Sequence, residues 1–268
     1  MRFVLIKNIR YLNANHRRQI MSKKELLDEA KQRCSQDKSL IIDPAFPQLV
    51  YGKGNPDSNI LFIGEAAGEQ EALQGIPFVG SAGKQLDKML QSIGLTLDEC
   101  YVANILKYRP PQNREPQPDE MMCHTPYLVE QIHVIAPKVI VTLGNFSTKF
   151  VIAGFNVEKM ETISGVGKLH GKIHKMKVGT DNCTIIPLYH PAACLYNPNL
   201  REMMMADFQI IKQFLDKFPT VQTKSNLQTP TNAPTKPTQT LVAPSSNNKK
   251  ENKKPLAQES LSSFIPSK

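Results

Sequence analysis

Four short apolar runs punctuate the chain: Asn59–Gly64 (NILFIG), Cys100–Leu106 (CYVANIL), Lys138–Gly144 (KVIVTLG) and Thr184–His190 (TIIPLYH). Each is apolar at consecutive rather than alternate positions and short of helix length, which predicts strands buried on both faces. Helical patterns lie between them. Ser81 is placed to cap a helix carrying Leu86, Met89, Leu90 and Ile93 on one face. Pro118–Ala136 and Asn199–Phe218 also read as helices, and Met160–Lys177, with Gly165, Gly167 and Gly171, reads as an irregular hairpin inserted before the last strand. Strands alternating with helices predict an α/β fold, a three-layer α/β/α arrangement around a central, mostly parallel four-stranded sheet.

Polar residues fall at corresponding places in this pattern. Glu65 follows the first strand, Asn104 sits late in the second, Gly144 ends the third and His190 ends the fourth. In an open parallel sheet the carboxyl ends of the strands form the ligand crevice. The pattern therefore gathers a carboxylate, an amide and an imidazole at one rim.

Composition changes the picture beyond Pro219. Residues 219–268 carry seven prolines, many Thr, Ser and Asn, and seven Lys against two Glu. Such a segment buries too little apolar surface to offset its ordering entropy and is expected to be a disordered cationic tether. Residues 1–218 are expected to form the single folded domain. The formal charge of +9 over 268 residues favours an acidic polymer as partner, and removing the tail leaves the rest near +4. The cysteines, Cys34, Cys100, Cys123, Cys183 and Cys194, form no CxxC pair and no zinc-finger spacing, which predicts free thiols. No run approaches the roughly 18–20 apolar residues of a membrane span, and Met1–Asn15 has no signal-peptide core. The expectation is an intracellular monomer, in the cytoplasm or nucleoid if prokaryotic.

The stretch Gly64–Gly83, GEAAGEQEALQGIPFVGSAG, has five glycines but neither a following Gly-Lys-Ser/Thr nor a GxGxxG, so it is not a phosphate loop. With YVANILKYRPPQNREP and YHPAACLYNP further on, it resembles the family-four uracil-DNA glycosylases, the thermostable iron–sulfur branch of that superfamily, from about Cys34 to Leu215. The resemblance implies excision of uracil from DNA by hydrolysis of its N-glycosidic bond, after the nucleotide has been flipped out of the duplex. It implies that Phe78 stacks on the uracil, that Asn104 reads its edge, that His190 hydrogen-bonds O2 of the leaving base, and that Glu65 faces the cationic sugar. Ala66 would line the pocket and Glu71 would crowd uracil C5 against thymine's methyl. Leu195 reads as a wedge filling the vacated stack or as a core leucine. Lys107, Arg109 and Arg114 read as phosphate contacts.

The family's cluster is held by four cysteines, and this chain departs from that set. Cys34 and Cys123 stand at two of the ligand positions, but Asp37 and Tyr108 stand at the other two. The expectation drawn from the residues is no cofactor and no metal. At the end of the chain, QESLSSFIPSK places Gln258, Leu261, Phe264 and Ile265 in a spacing similar to sliding-clamp-binding peptides, which implies a replication clamp as a partner. The rival reading is a non-catalytic DNA-damage or clamp-binding module that kept the fold. A nucleotide-binding enzyme is a weaker third, since no phosphate-gripping lysine accompanies the glycine-rich loop.

Overall fold

The computed structural model describes residues 21–178 and 181–218. The peptide at Gln258–Ile265 lies outside the described residues. Helix α1 (Lys23–Gln36) opens the described chain; Ser22 caps it and exchanges side-chain bonds with Glu25 in a reciprocal capping box. Strands β1 (Lys53–Gly54) and β2 (Ile60–Gly64) precede helices α2 (Glu69–Gln74) and α3 (Ser81–Gln91). Then follow β3 (Tyr101–Asn104), α4 (Pro118–Ile135), β4 (Val139–Leu143) and α5 (Asn145–Ile152). The four-residue helix α6 (Val166–Leu169), strands β5 (His174–Val178) and β6 (Asp181–Leu188), and helix α7 (Pro198–Leu215) complete the order.

The sheet runs β1-β3-β2-β4-β6-β5. Its central four strands are parallel, and they coincide with the four apolar runs of the sequence. The sheet has six strands rather than four because an antiparallel strand is added at each edge, β1 on β3 and β5 on β6. Strand β1 is two residues long and β5 alternates exposed lysines with inward residues, so neither carries the continuous apolar signal of a doubly buried strand. The hairpin expected before the last strand is β5–β6, preceded by α6 and a short 3-10 turn at Val157–Thr162.

Alternate residues of each central strand feed two cores. Leu61, Ile63, Ala103, Ile140 and Ile185 face α1, α4 and α5, where Leu27, Leu128, Ile132 and Phe150 pack. Ile60, Phe62, Val102, Val141 and Ile186 face α3 and α7, meeting Leu86, Leu90, Phe208 and Ile211. Every residue of β2, β3 and β4 is buried, and burial of a side chain such as Phe62 contributes roughly 1.5–3 kcal/mol. A third, smaller cluster of Ala30, Cys34, Leu40, Leu49, Tyr51 and Tyr108 forms a side lobe beside α1 and α4, with Cys123 and Tyr127 packed on it. Among the described residues no helix is long and apolar enough to cross a membrane.

Candidate active site

Parallel pairing sets Gly64, the last residue of β2, directly opposite Asn104, the last of β3. A Cβ at Gly64 would collide with the Asn104 amide oxygen and press on the Phe78 ring. Glycine there is therefore a condition for bringing amide and ring together. The rest of the site follows from the same strand ends. A cavity of about 440 Å³ opens over them and is lined by Glu65, Ala66, Phe78, Asn104 and His190, with Glu71 and Arg114 on its wall.

Phe78 stands at φ 55°, a left-handed conformation that costs a non-glycine residue energy. Two features of the sequence hold it there. Gly83, in the first turn of α3, lets the helix pack straight onto the Phe78 carbonyl, where any Cβ would collide. Glu71, itself nearly buried, accepts the Gly80 N–H at 2.8 Å and so pins the loop two residues beyond Phe78. Glu71 thus has a positioning contact in addition to its place on the cavity wall.

Asn104 is 2% exposed, yet nothing among the described residues hydrogen-bonds its side-chain amide. The amide is not among the fully buried unpaired side-chain atoms of the described residues, which are the Tyr51 hydroxyl and His174 Nε2; it meets the open cavity, where a ligand can supply its hydrogen bonds. His190 caps the 3-10 turn Pro191–Leu195, its Nδ1 accepting the Ala192 N–H at 3.3 Å. With Nδ1 an acceptor, the proton of the neutral ring sits on Nε2, leaving that atom a donor. Burial pushes the His190 pKa down, and the Glu71 charge opposes this, so the ring is neutral near pH 7. Burial raises the Glu65 carboxyl above the ordinary carboxylate range, with the nearby Glu115 charge adding to the shift.

Two expected phosphate contacts are corrected. Lys107 is fully buried, with its Nζ donating to the Asn104 carbonyl at 2.7 Å and to Gln131 Oε1 at 2.6 Å. Arg109 is 7% exposed; its guanidinium lies 4.2 Å over the Phe46 ring and its Nε donates to Asn113 Oδ1 at 2.9 Å. Both cations are occupied inside the protein, Lys107 by Gln131 of α4 and Arg109 by Phe46 and Asn113, so neither is free to meet a phosphate. Arg114 makes a two-pronged bond to Glu120 at 2.8 and 2.7 Å while keeping a 38% exposed side chain on the cavity wall. Leu195 is 43% exposed at the end of its 3-10 turn, which removes the core reading. Asn113, at φ 55° in the Pro110–Arg114 turn, also lines the cavity and is absent from the residues singled out in the sequence. Its signal was the Pro-Pro-Gln-Asn run, which marks a turn at the rim.

Residues 51–215 match the description "Uracil DNA glycosylase superfamily". The chain belongs to the uracil-DNA glycosylase superfamily. It is 45% identical over 165 residues to the Type-4 uracil-DNA glycosylase of Sulfurisphaera tokodaii, covering 61% of this chain and 73% of that one. It is 43% identical to the Type-4 enzyme of Saccharolobus solfataricus (63% of this chain, 77% of that one) and 43% identical to that of Archaeoglobus fulgidus (63% and 82%). Membership in this superfamily does not favour the non-catalytic reading.

Membership also overturns the expectation of no cofactor, since the Type-4 enzymes that the chain resembles are iron–sulfur proteins. What this chain offers such a group can be read from the side lobe. Cys34 and Cys123 are thiols of the same cluster of side chains, and Tyr108 packs with them. Asp37 is already engaged, accepting from the Tyr127 hydroxyl at 2.6 Å and from Ser39. Among the described residues no group of three or more His, Cys, Asp or Glu side chains converges as a metal site. Two thiols do not fit a shell of four thiolates, and no chemical step is derived through that group.

Proposed function

We propose that the chain removes uracil from DNA as a monofunctional glycosylase, with Asn104, His190, Glu65 and Phe78 carrying the reaction. The observation that carries this assignment is the Asn104 amide, without a hydrogen bond to any described residue and open to the rim cavity beside His190 and Phe78. A base reaches that cavity only after leaving the duplex stack. Uracil offers a donor at N3 and an acceptor at O4, which complement the amide oxygen and NH₂ of Asn104. Phe78 supplies a face for the ring, and Ala66 and Glu71 bound the space around it.

Hydrolysis breaks the C1′–N1 bond and sends its electron pair out with the base, while a water oxygen bonds to C1′; the water gives up its proton to the Glu65 carboxylate or solvent, and the uracil anion takes one up from solvent. His190 Nε2–H is placed to stabilise the negative charge that develops on uracil O2, as a preorganised donor rather than a proton source. Glu65, as a carboxylate, faces the cationic sugar and orients the water. Leu195, exposed beside the site, is suited to fill the gap left by the flipped nucleotide. Arg114 remains available at the rim for phosphate. An intracellular monomer, tethered to a sliding clamp through Gln258–Ile265, completes the proposal and rests on sequence alone.

The test is release of free base from duplexes carrying U·G, T·G or C·G at one position. Release from U·G only, steeply reduced in His190→Ala, is the expected outcome. Failure of the well-folded wild type to release uracil would sink the reading.

A further inference from the structure

Lys107 is the most deeply buried of the described lysines and arginines, 0% exposed against 7% for Arg109, and plays no part in the reaction as derived above. It is wholly inaccessible, and a lysine of this depth costs several kilocalories relative to an apolar residue of the same shape. The side chain bends back three residues, and its Nζ donates to the backbone carbonyl of Asn104 at 2.7 Å. The same Nζ donates to Gln131 Oε1 at 2.6 Å, and the Tyr51 ring lies 5.6 Å below it. Gln131, fully buried on α4, is in turn fixed by donation from its Nε2 to the Tyr51 carbonyl at 2.8 Å. The Lys107 backbone N–H is held as well, donating to His124 Nδ1 at 3.1 Å.

The place of these bonds in the fold gives them meaning. Asn104 is where β3 ends; just beyond it Ile105 and Leu106 still reach across to the carbonyls of Gly64 and Glu65 at 3.0 Å. The Asn104 carbonyl is therefore held from the helix side by Lys107 while its neighbours are held from the strand side. The Asn104 amide has no protein partner of its own, so its aim into the cavity is inherited from this backbone.

We propose that Lys107 is a positioning residue for uracil recognition: bridging the Asn104 carbonyl to Gln131, it fixes the direction in which the Asn104 amide meets the base. An amine donates two hydrogens even when neutral, so the bridge does not depend on the charge of Lys107. Gln131 anchors the bridge to α4 and is itself fixed by the Tyr51 carbonyl, which makes it a second member of the same device.

This inference rests on the assignment of Asn104 as the uracil reader, and a double-mutant cycle separates the two. Single-turnover uracil release from U·G duplex, with enzyme in excess, is measured for wild type, Lys107→Met, Asn104→Ala and the double variant. Lys107→Met keeps the packing volume and removes the bridge. The expected result is a fall of roughly tenfold or more in the wild-type background, and less than about twofold when Asn104 is already alanine. Free uracil should protect the wild-type protein against thermal unfolding and protect Lys107→Met less. Equal falls in both backgrounds, or no fall in the first, would overturn the positioning role and leave a purely structural lysine. Should Lys107→Met not fold, Gln131→Leu takes its place in the same cycle, with the same coupling expected and additivity again contradicting it. If Asn104→Ala itself retains full activity, it is the reader assignment that fails, not the bridge.

Discussion

Two neighbouring regions handle their polar groups in opposite ways. In the side lobe most of the polar side chains near Cys34 are spent inside the protein, Asp37 on Tyr127 and His124 on the Lys107 N–H, although the buried Tyr51 hydroxyl has no partner among the described residues. At the rim, three residues before Lys107, the Asn104 amide bonds no described residue and Phe78 is held in a strained conformation. A polar group paired inside the protein adds to stability by a modest net amount, whereas one left facing a cavity is free to bond a ligand. The lobe therefore reads as structure and the rim as function, and substitutions should separate along that line.

The largest effect is expected at the rim. His190→Ala and Asn104→Ala should each lower the single-turnover rate by about 100- to 1,000-fold, the scale of losing one preorganised donor, with the melting temperature almost unmoved. Gly64→Ala should come close to these, because the added methyl occupies the space of the Asn104 amide and the Phe78 ring; retention of activity by this variant would show that the rim has more slack than the geometry allows. Next comes pH. Glu65 is raised above the ordinary carboxylate range and acts as its anion, so the rate should fall as pH drops through that raised value, while His190, shifted down, stays neutral. A rate profile over the acid range checks this, and Glu65→Gln should abolish the acid limb along with most of the activity.

In the lobe the expected effects are on stability. Burial holds His124 at about 4 against an ordinary value of 6.5. A depressed value means that the unfolded chain takes up the proton first. Stability is then complete above about 6.5 and is lost as pH falls towards 4, by about 3 kcal/mol at the end. Urea unfolding across that window measures the slope, and His124→Gln should flatten it. The smallest effect is that of Asp37→Ala, which should cost about 1 kcal/mol of stability through the lost Tyr127 bond and leave uracil release within twofold.

The same contrast governs what the sequence made legible. The central strands were readable because burial on both faces leaves an uninterrupted apolar run, and Glu65, Asn104 and His190 were readable because each sits at or near the end of such a run, whereas Phe78, in the loop between α2 and α3, was reached only through the resemblance. Helix α1 was not among the predicted elements, although Ser22 and Glu25 form its capping box, because its exposed faces dilute the apolar period. The burial of Lys107 and Arg109 was not readable: a cation in a Pro-rich stretch reads as surface, and what encloses it is Gln131 on a helix 24 residues away for one and Phe46 on a distant loop for the other. Strand-end chemistry is local to the sequence. The bridges that aim it are tertiary.

Uracil release and melting temperature for Asn104→Ala and Asp37→Ala, measured side by side, should cross: the rim variant loses activity and keeps its melting temperature, and the lobe variant does the reverse. Loss of activity in Asp37→Ala, or an Asn104→Ala protein that excises uracil at the wild-type rate, would contradict the division between rim and lobe.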